Sequence, residues 1–174
     1  MNPSEDTTSL LDWAFLRFRT AGLLEPQITR IHFGSQIPGC GSRSGWTRQT
    51  ETGIEVAICL DDDRICRHDG ASPLTTPSKF CTLHELAHGW LIEHASEEIR
   101  LAFLDHAGLD SWIAAEETSW HQRGVEYAAE VVAWGLMDKG LDLIRLETPD
   151  CRQLEARFAI LTGITPLVSC PADE

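Results

Sequence analysis

The stretch FCTLHELAH, from Phe80 to His88, is the most informative part of the sequence. It contains the pattern HExxH, and the apolar residues beside its histidines can pack against a core. Just upstream, Thr76 can cap a helix, and Pro77 suits the first helical position, where a missing N–H does no harm. We therefore predict a helix that runs from Thr76 to about His94 or the residue after it.

Two histidines on this helix are candidates to bind a metal ion. Residues four apart lie about 40° apart around an α-helix, so His84 and His88 project from one face and can both bind a single Zn²⁺. Glu85 lies about 100° further round the helix, where it can face a water molecule at the metal and act as general base. The alternative is a surface helix on which these side chains are simply solvated.

A zinc hydrolase needs a third protein ligand and one open position, and the sequence offers two sources for that ligand. His94 follows His88 at the histidine spacing of metzincins. That pattern has glycine where this chain has Leu91, and on a continuous helix His94 points about 240° away from His88. The other source is a carboxylate from a second helix, which we prefer.

The segment predicted to supply this carboxylate is a helix from Ser119 to Lys139, at whose start Ser119 and Gln122 form a capping-box pattern. Glu126 and Glu130 lie one turn apart on it, at the edge of an apolar stripe, where unpaired acids are unfavourable. We predict that Glu126 is the third metal ligand and that Glu130 accepts a hydrogen bond from the free ring N–H of a metal-bound histidine. The reversed assignment, with Glu130 as ligand, and a solvated carboxylate pair both stay open.

Three residues near Glu126 are candidates to stabilise the oxyanion of a reacting carbonyl: His121, Arg123 and Tyr127. Tyr127 follows Glu126 directly and so points about 100° away from it. His121 lies about one turn earlier, and we predict it as the catalytic donor. An extended substrate is expected to pair with the strand Gly53–Leu60, as an edge strand of the sheet.

Around these segments the chain predicts an α+β fold, a mostly helical single domain over residues 1–174 with a small twisted sheet. The strand at 53–60 places Ile54, Val56 and Ile58 on one face, whereas residues 34–45 are rich in glycine and serine and predict a loop. Tryptophans at helical positions are expected to pack in the core. The other predicted elements are the helices Ser4–Ala21 and Thr148–Gly163, a helix that Ser96 caps and that runs through Leu104 to end near Gly108, and the strand Gln27–Phe33.

The composition restricts the partners. The 174 residues include 14 Lys and Arg against 27 Asp and Glu, a formal charge of −13, which repels phosphate backbones and argues against direct nucleic-acid binding. No apolar run approaches the roughly 18 residues of a membrane span, so no membrane partner is expected. The polar, acidic segment Met1–Asp6 is not typical of a signal peptide, and we expect a cytoplasmic protein.

The six cysteines include no CxxC pair. In a reducing cytosol they are expected to be free thiols, most of them buried. A metal clip or a disulfide that joins Cys59 to Cys66 is the alternative.

The segment Phe80–His88, followed by Glu126–Ala133, resembles the gluzincin metallopeptidases, and more narrowly the small metallopeptidases of the ImmA/IrrE type. The resemblance covers about Gly53 to Met137. It implies a zincin-like, minigluzincin architecture, in which an edge strand lies above a cleft between the HExxH helix and a glutamate helix. It also implies Zn²⁺ as cofactor and a protein or peptide as substrate.

The function expected from the sequence is therefore hydrolysis of a peptide bond by a zinc metallopeptidase. Its metal ligands would be His84, His88 and Glu126, and its general base would be Glu85. Two alternatives stay open: a zinc hydrolase of a non-peptide amide, and a non-catalytic module of zincin fold whose role is binding.

Overall fold

The computed structural model describes residues 5–34, 37–38, 45–59, 76–115, 118–119, 122–137 and 150–170. Within these ranges, five helices and one three-stranded sheet form an α+β fold, as predicted. None of the described helices combines the length and the apolar character that crossing a bilayer requires. In chain order the elements are α1 (Glu5–Ala21), β1 (Ile28–Phe33), β2 (Gly45–Thr50), β3 (Gly53–Ile58), α2 (Thr76–His94), α3 (Glu97–Ala107), α4 (Gly124–Leu136) and α5 (Cys151–Thr162).

The sheet has the strand order β1-β3-β2, with β1 parallel and β2 antiparallel to β3. The prediction that the strand at 53–60 forms an edge is therefore wrong, since β3 is central and β2 is an outer strand. No strand was predicted at 45–50 because Trp46–Thr50 is mostly polar and lacks the apolar alternation of a half-buried strand. This segment becomes a strand because a tight turn at residues 51–52 returns the chain alongside it as β3.

The apolar face predicted for β3 is confirmed, and it packs against the HExxH helix. Its residues contact Ile28 of β1 and Ile92 of α2. A Cβ at Gly89 of α2 would lie 2.6 Å from Ile28 Cδ1, so glycine leaves room for the Ile28 side chain against the helix. The buried residues of this face are Ile54, Val56 and Ile58.

The glutamate helix α4 begins at Gly124, later than the predicted Ser119. The amides of Gly124 and Val125 donate to the carbonyl oxygens of Ser111 (3.0 Å) and Trp112 (2.9 Å). These bonds satisfy donors that otherwise lack partners at a helix start. A distant turn therefore takes the place of the capping box that the sequence predicted.

The same helix is buried along most of its length and packs against both α2 and α5. A Cβ at Gly135 would collide with the ring of Phe158, so the missing side chain lets α5 approach. At the other end, Arg17 of α1 donates to the carbonyl oxygens of Leu136 (2.6 Å) and Met137 (3.1 Å). A cation thus stabilises the carboxyl end of the helix.

Local signals predicted several helix ends well. α1 ends at the predicted residue 21. Ser96 caps α3, since its hydroxyl accepts a hydrogen bond from Ile99 N–H (3.3 Å), and the helix ends at Ala107, just before the Gly108 near which its end was predicted. α5 stops at the predicted Gly163. The predicted helix ends at 139 and at 148–149 lie outside the described residues.

The carboxyl-terminal segment folds back along α5 and closes a disulfide between Cys151 and Cys170, whose Cα atoms are 5.6 Å apart. Leu167 N–H donates to the carbonyl oxygen of Gly135 (2.7 Å), and Cys170 N–H donates to Oε1 of Glu155 (3.2 Å). These bonds bring the two cysteines within the distance that a disulfide requires. The expectation of free thiols is therefore wrong for this pair.

Cys59 and Cys81 are also disulfide-bonded, so the expectation of free thiols is wrong for them too. The alternative pair named from sequence includes Cys66, which lies outside the described residues, as does Cys40. Because disulfides are rare in reducing compartments, these bonds weigh against the cytoplasmic location, which stays a prediction.

Replacing both Cys151 and Cys170 with serine should lower the free energy of unfolding by about 3 kcal/mol, the size expected for a closed loop of roughly 20 residues. Urea denaturation monitored by far-ultraviolet circular dichroism measures the change. Zinc uptake should persist, because neither cysteine belongs to the cluster of candidate metal ligands. A double variant as stable as the parent chain would contradict the disulfide.

Candidate metal centre

Two helices bring three ligand-type side chains together. His84 and His88 lie one turn apart on α2, and Glu126 lies in the first turn of α4. Nε2 of His84 and Nε2 of His88 are 3.1 Å apart, and Oε2 of Glu126 lies 3.3 Å from the first and 3.2 Å from the second. The three residues named from sequence therefore form one cluster that could hold a metal ion.

The triangle of these atoms has the dimensions of one face of a tetrahedral coordination sphere. Zinc binds imidazole nitrogen and carboxylate oxygen at about 2.0–2.1 Å, which gives tetrahedral edges of about 3.3 Å. The three edges here measure 3.1, 3.2 and 3.3 Å. Two imidazoles and one carboxylate are also a donor set of zinc hydrolases, so the residues fit a zinc ion in both spacing and chemistry.

Glu130 lies one turn beyond Glu126 and is fully buried. Its Oε2 lies 3.0 Å from Nδ1 of His84, the ring nitrogen that does not face the other two ligands. A carboxylate in this position fixes the tautomer that leaves the lone pair of Nε2 free for a metal. The cluster that could hold an ion contains Glu126 and not Glu130; the roles assigned to the two glutamates from sequence stay predictions.

The charges around the cluster favour a cation. Burial by itself lowers the pKa of His84, but contacts with Glu126 and Glu130 outweigh it and raise that pKa to about 9. Burial likewise raises the pKa of Glu126, but the two imidazoles hold it well below its usual range. Only neutral imidazole coordinates a metal, so metal binding here would release a proton wherever His84 carries one.

Glu85 lies next to the two histidines in a dry environment, with only 4% of its surface exposed. The hydroxyl of Thr47 on β2 lies 2.9 Å from the carbonyl oxygen of Glu85 and 3.2 Å from its Oε2. Burial raises the pKa of Glu85, and the positive charges of His84 and His88 oppose that rise. A carboxylate that is oriented by a hydrogen bond and has a raised pKa suits a general base at neutral pH.

The start of β2 lies directly on the Glu85 carboxyl group. A Cβ at Gly45 would lie 2.5 Å from both Cδ and Oε1 of Glu85, and 2.6 Å from the carbonyl oxygen of Ala57. Only glycine therefore allows the strand to cover the carboxylate at this distance. Gly45 and Thr47 are two residues apart, so they share one face of β2, and this face covers Glu85.

Gly45→Ala should displace either β2 or the Glu85 side chain. We expect the free energy of unfolding to fall by about 1–3 kcal/mol, as in other overpacked sites, because the new methyl group meets backbone as well as side-chain atoms. Urea denaturation measures the loss, and Gln49→Ala, at an exposed position of the same strand, is the matched control. A Gly45→Ala protein as stable as that control would show that the two groups are not in contact.

Three other residues considered from sequence contact partners outside the cluster. His94 stacks on a tryptophan ring of its own helix, with ring centroids 4.8 Å apart, and it is not in the described cluster of ligands. Tyr127 accepts a hydrogen bond from Arg157, and Arg123 donates to a carbonyl oxygen of the preceding loop (3.0 Å). His121, the donor preferred from sequence, lies outside the described residues, so its catalytic role stays a prediction.

The sequence did not single out the roles of Gly45, Thr47 and Arg100. Thr47 and Arg100 line a cavity of about 180 Å³ beside His88 and Glu126. The available signal was the spacing of Gly45 and Thr47, since residues two apart share one face of a strand. No motif accompanies it. Arg100 reaches the site through the packing of α3, which local sequence does not reveal.

Comparisons of the chain with protein-family models, with curated proteins and with solved structures give no significant match. The interpretation of this site consequently rests on the identity, the spacing and the surroundings of its residues.

Proposed function

We propose that this protein is a zinc-dependent metallopeptidase that hydrolyses a peptide bond with Glu85 as general base. The observation that carries the proposal is the triangle formed by the two imidazole nitrogens and the carboxylate oxygen, with edges of 3.1, 3.2 and 3.3 Å. Structural zinc sites have a fourth protein ligand that closes the coordination sphere, whereas catalytic sites have three. The described cluster has three members, and a buried carboxylate lies beside it.

A bound zinc ion would polarise the scissile carbonyl and acidify a water molecule. Glu85 would take a proton from that water as the water oxygen bonds to the carbonyl carbon, and would give the proton to the amine nitrogen as the C–N bond breaks. Thr47 and Gly45 keep the carboxylate of Glu85 oriented, and the buried surroundings strengthen each charge interaction by excluding water. Glu130 holds His84 in the tautomer that presents Nε2 to the metal.

The strand that we propose for substrate binding is β2, in place of the β3 segment favoured from sequence. Among the described strands, β2 pairs with β3 on one side only, and Thr47 of β2 lines the cavity beside the cluster. An extended peptide that adds to the free side would continue the sheet through main-chain hydrogen bonds. This feature favours a peptide over a small non-peptide amide, which needs no strand edge.

The architecture that we propose is zincin-like and of the minigluzincin type. Its support is the resemblance of segments 80–88 and 126–133 to metallopeptidases of the ImmA/IrrE type, together with the outer strand beside the HExxH helix. A non-catalytic binding module is less favoured, because it has no need for a buried Glu85 beside the metal ligands. A protein or peptide substrate and the lack of nucleic-acid binding stay predictions.

Metal removal tests the proposed function. Ortho-phenanthroline should abolish the cleavage of an internally quenched peptide library, and addition of Zn²⁺ should restore it, because both roles of the metal are lost without it. The non-chelating meta isomer serves as the control. Cleavage that survives full removal of zinc would contradict the proposal, as would a zinc-loaded protein that hydrolyses small amides but no peptide.

A further inference from the structure

A cavity of about 180 Å³ lies against the candidate metal ligands. At about 30 Å³ for each water molecule, it has room for about six waters, or for a side chain of similar size. Its lining includes His88 and Glu126 of the ligand cluster, Thr47 of β2, Arg100 of α3, and Trp112. A substrate whose carbonyl lies at the metal would therefore place a neighbouring group in this cavity.

Arg100 is the arginine of this lining, and no carboxylate of the described residues lies within 4.0 Å of its guanidinium nitrogens. Its guanidinium carbon lies 5.4 Å from the centroid of the Trp112 ring, a cation–π contact. Its Nε is buried without a hydrogen-bond partner. By contrast, Arg19 and Arg48 each pair with a glutamate.

Trp112, whose ring contacts the guanidinium of Arg100, is hydrogen-bonded to the helix that carries Glu126. The carbonyl oxygen of Trp112 accepts a hydrogen bond from the amide of Val125 (2.9 Å), the residue before Glu126. The ring of Trp112 also meets the ring of buried Phe103 edge-on, with centroids 6.1 Å apart. The cation is consequently held in a defined position relative to the metal ligands, as a specificity-determining residue requires.

A partly buried cation without a counter-ion is unfavourable unless an anion joins it. The chain as a whole carries a net charge of −13, so an anionic group would be repelled from the site unless a local cation attracted it. The guanidinium of arginine matches a carboxylate, to which it can donate two parallel hydrogen bonds. Arg100 has the charge for such a contact and a donor, Nε, that no described group accepts from.

We infer that Arg100 binds a carboxylate of the substrate and makes this site selective for an acidic group beside the scissile bond. The inference rests on the proposed function, because the cavity gains this meaning from a substrate bound at the metal. The carboxylate belongs either to an aspartate or glutamate side chain or to the carboxyl terminus of a peptide. Both sources offer the same chemistry to the guanidinium.

The test is a binding measurement on the zinc-loaded protein with pairs of hydroxamates. In each pair, one compound ends in a free carboxylate and the other in a neutral methyl amide, with the same number of methylenes between the end group and the hydroxamate. We expect the best acidic compound to bind about 10- to 100-fold more tightly than its neutral partner, the effect of a charge-assisted hydrogen bond. Calorimetric titration gives both dissociation constants.

Arg100→Gln should remove this difference and leave the affinity for the neutral compound unchanged, which also shows that the variant is folded. Arg19→Gln removes the same charge from an exposed ion pair and should keep the difference. If the parent protein binds both compounds equally, or if Arg100→Gln keeps the preference, the inference is wrong while the zinc site stands. If neither compound binds and the protein takes up no zinc, the proposed function and the inference both fail.

Two further hydroxamates distinguish the sources of the carboxylate. One carries glutamic acid with an amidated terminus, and the other carries leucine with a free terminal carboxylate. The compound that binds Arg100→Gln about 10-fold or more weakly than the parent protein carries the carboxylate that Arg100 recognises. If each compound binds Arg100→Gln as tightly as it binds the parent protein, the inference is wrong.

Discussion

Glu85→Gln should lower kcat for peptide hydrolysis by about 10³-fold or more, within the range measured for the loss of a general base. Glutamine keeps the size of the side chain and can still accept a hydrogen bond from Thr47, but its amide cannot take a proton from water. Zinc affinity should stay within about threefold of the parent value, since Glu85 is not among the described ligands. Steady-state kinetics and zinc titration measure the two quantities.

Glu98→Gln is the matched control for this prediction. Glu98 is an exposed residue on α3, so its replacement removes the same charge without touching the site, and kcat should change little. Retention of more than about a tenth of the parent kcat by Glu85→Gln would contradict the general-base role, because a tenfold loss corresponds to only about 1.4 kcal/mol.

Glu126→Gln should weaken zinc binding more than about 100-fold. Replacing a carboxylate that merely orients a ligand costs about 10- to 100-fold in affinity, whereas the carboxylate of Glu126, whose Oε2 lies 3.2 Å from Nε2 of His88, is proposed to bind the metal itself. The neutral amide also removes the negative charge that balances the divalent ion. Competition against a zinc-binding dye at neutral pH measures the affinity.

The order of effects separates the possible third ligands. We expect Glu130→Gln to weaken zinc binding by about 10- to 100-fold, less than Glu126→Gln and more than the Glu98→Gln control. A larger loss for Glu130→Gln than for Glu126→Gln would support the reversed assignment. Loss of zinc in His94→Ala, with retention in Glu126→Gln, would instead make His94 the third ligand.

The spacing of the candidate ligands within each helix could be predicted from sequence because that part of the geometry is local. The four-residue spacing of His84 and His88 places both on one face of any continuous helix. The same rule relates Glu126 to Glu130, and the acids at the edge of an apolar stripe indicated that a cationic partner was near. The structure brings Glu126 within 3.3 Å of His84, as this argument required.

The strand beside the site could not be predicted in the same way. β2 carries few apolar residues, and its place in the sheet follows from pairing with β3 rather than from a pattern of its own. The contact of Gly45 with Glu85 joins residues that are far apart in sequence. Contacts of this kind depend on tertiary packing, which overrides local propensity in strands.

The errors at the cysteines and at the start of α4 have a similar origin. The free-thiol expectation came from the absence of a targeting signal and not from where the cysteines lie in space, and the fold-back of residues 163–170 brings Cys170 to Cys151. The predicted cap at Ser119 failed because the amides of Gly124 and Val125 find carbonyl partners in a separate turn. Long-range hydrogen bonds supplied what local signals were expected to supply.

Anomalous diffraction at the zinc absorption edge, from crystals of the full chain purified with zinc, tests the proposed zinc site most directly. We expect one peak per chain at about 2.0–2.2 Å from Nε2 of His84, Nε2 of His88 and a carboxylate oxygen of Glu126. A peak that these three residues do not surround would contradict the proposed site, and so would the absence of any peak when zinc is in excess.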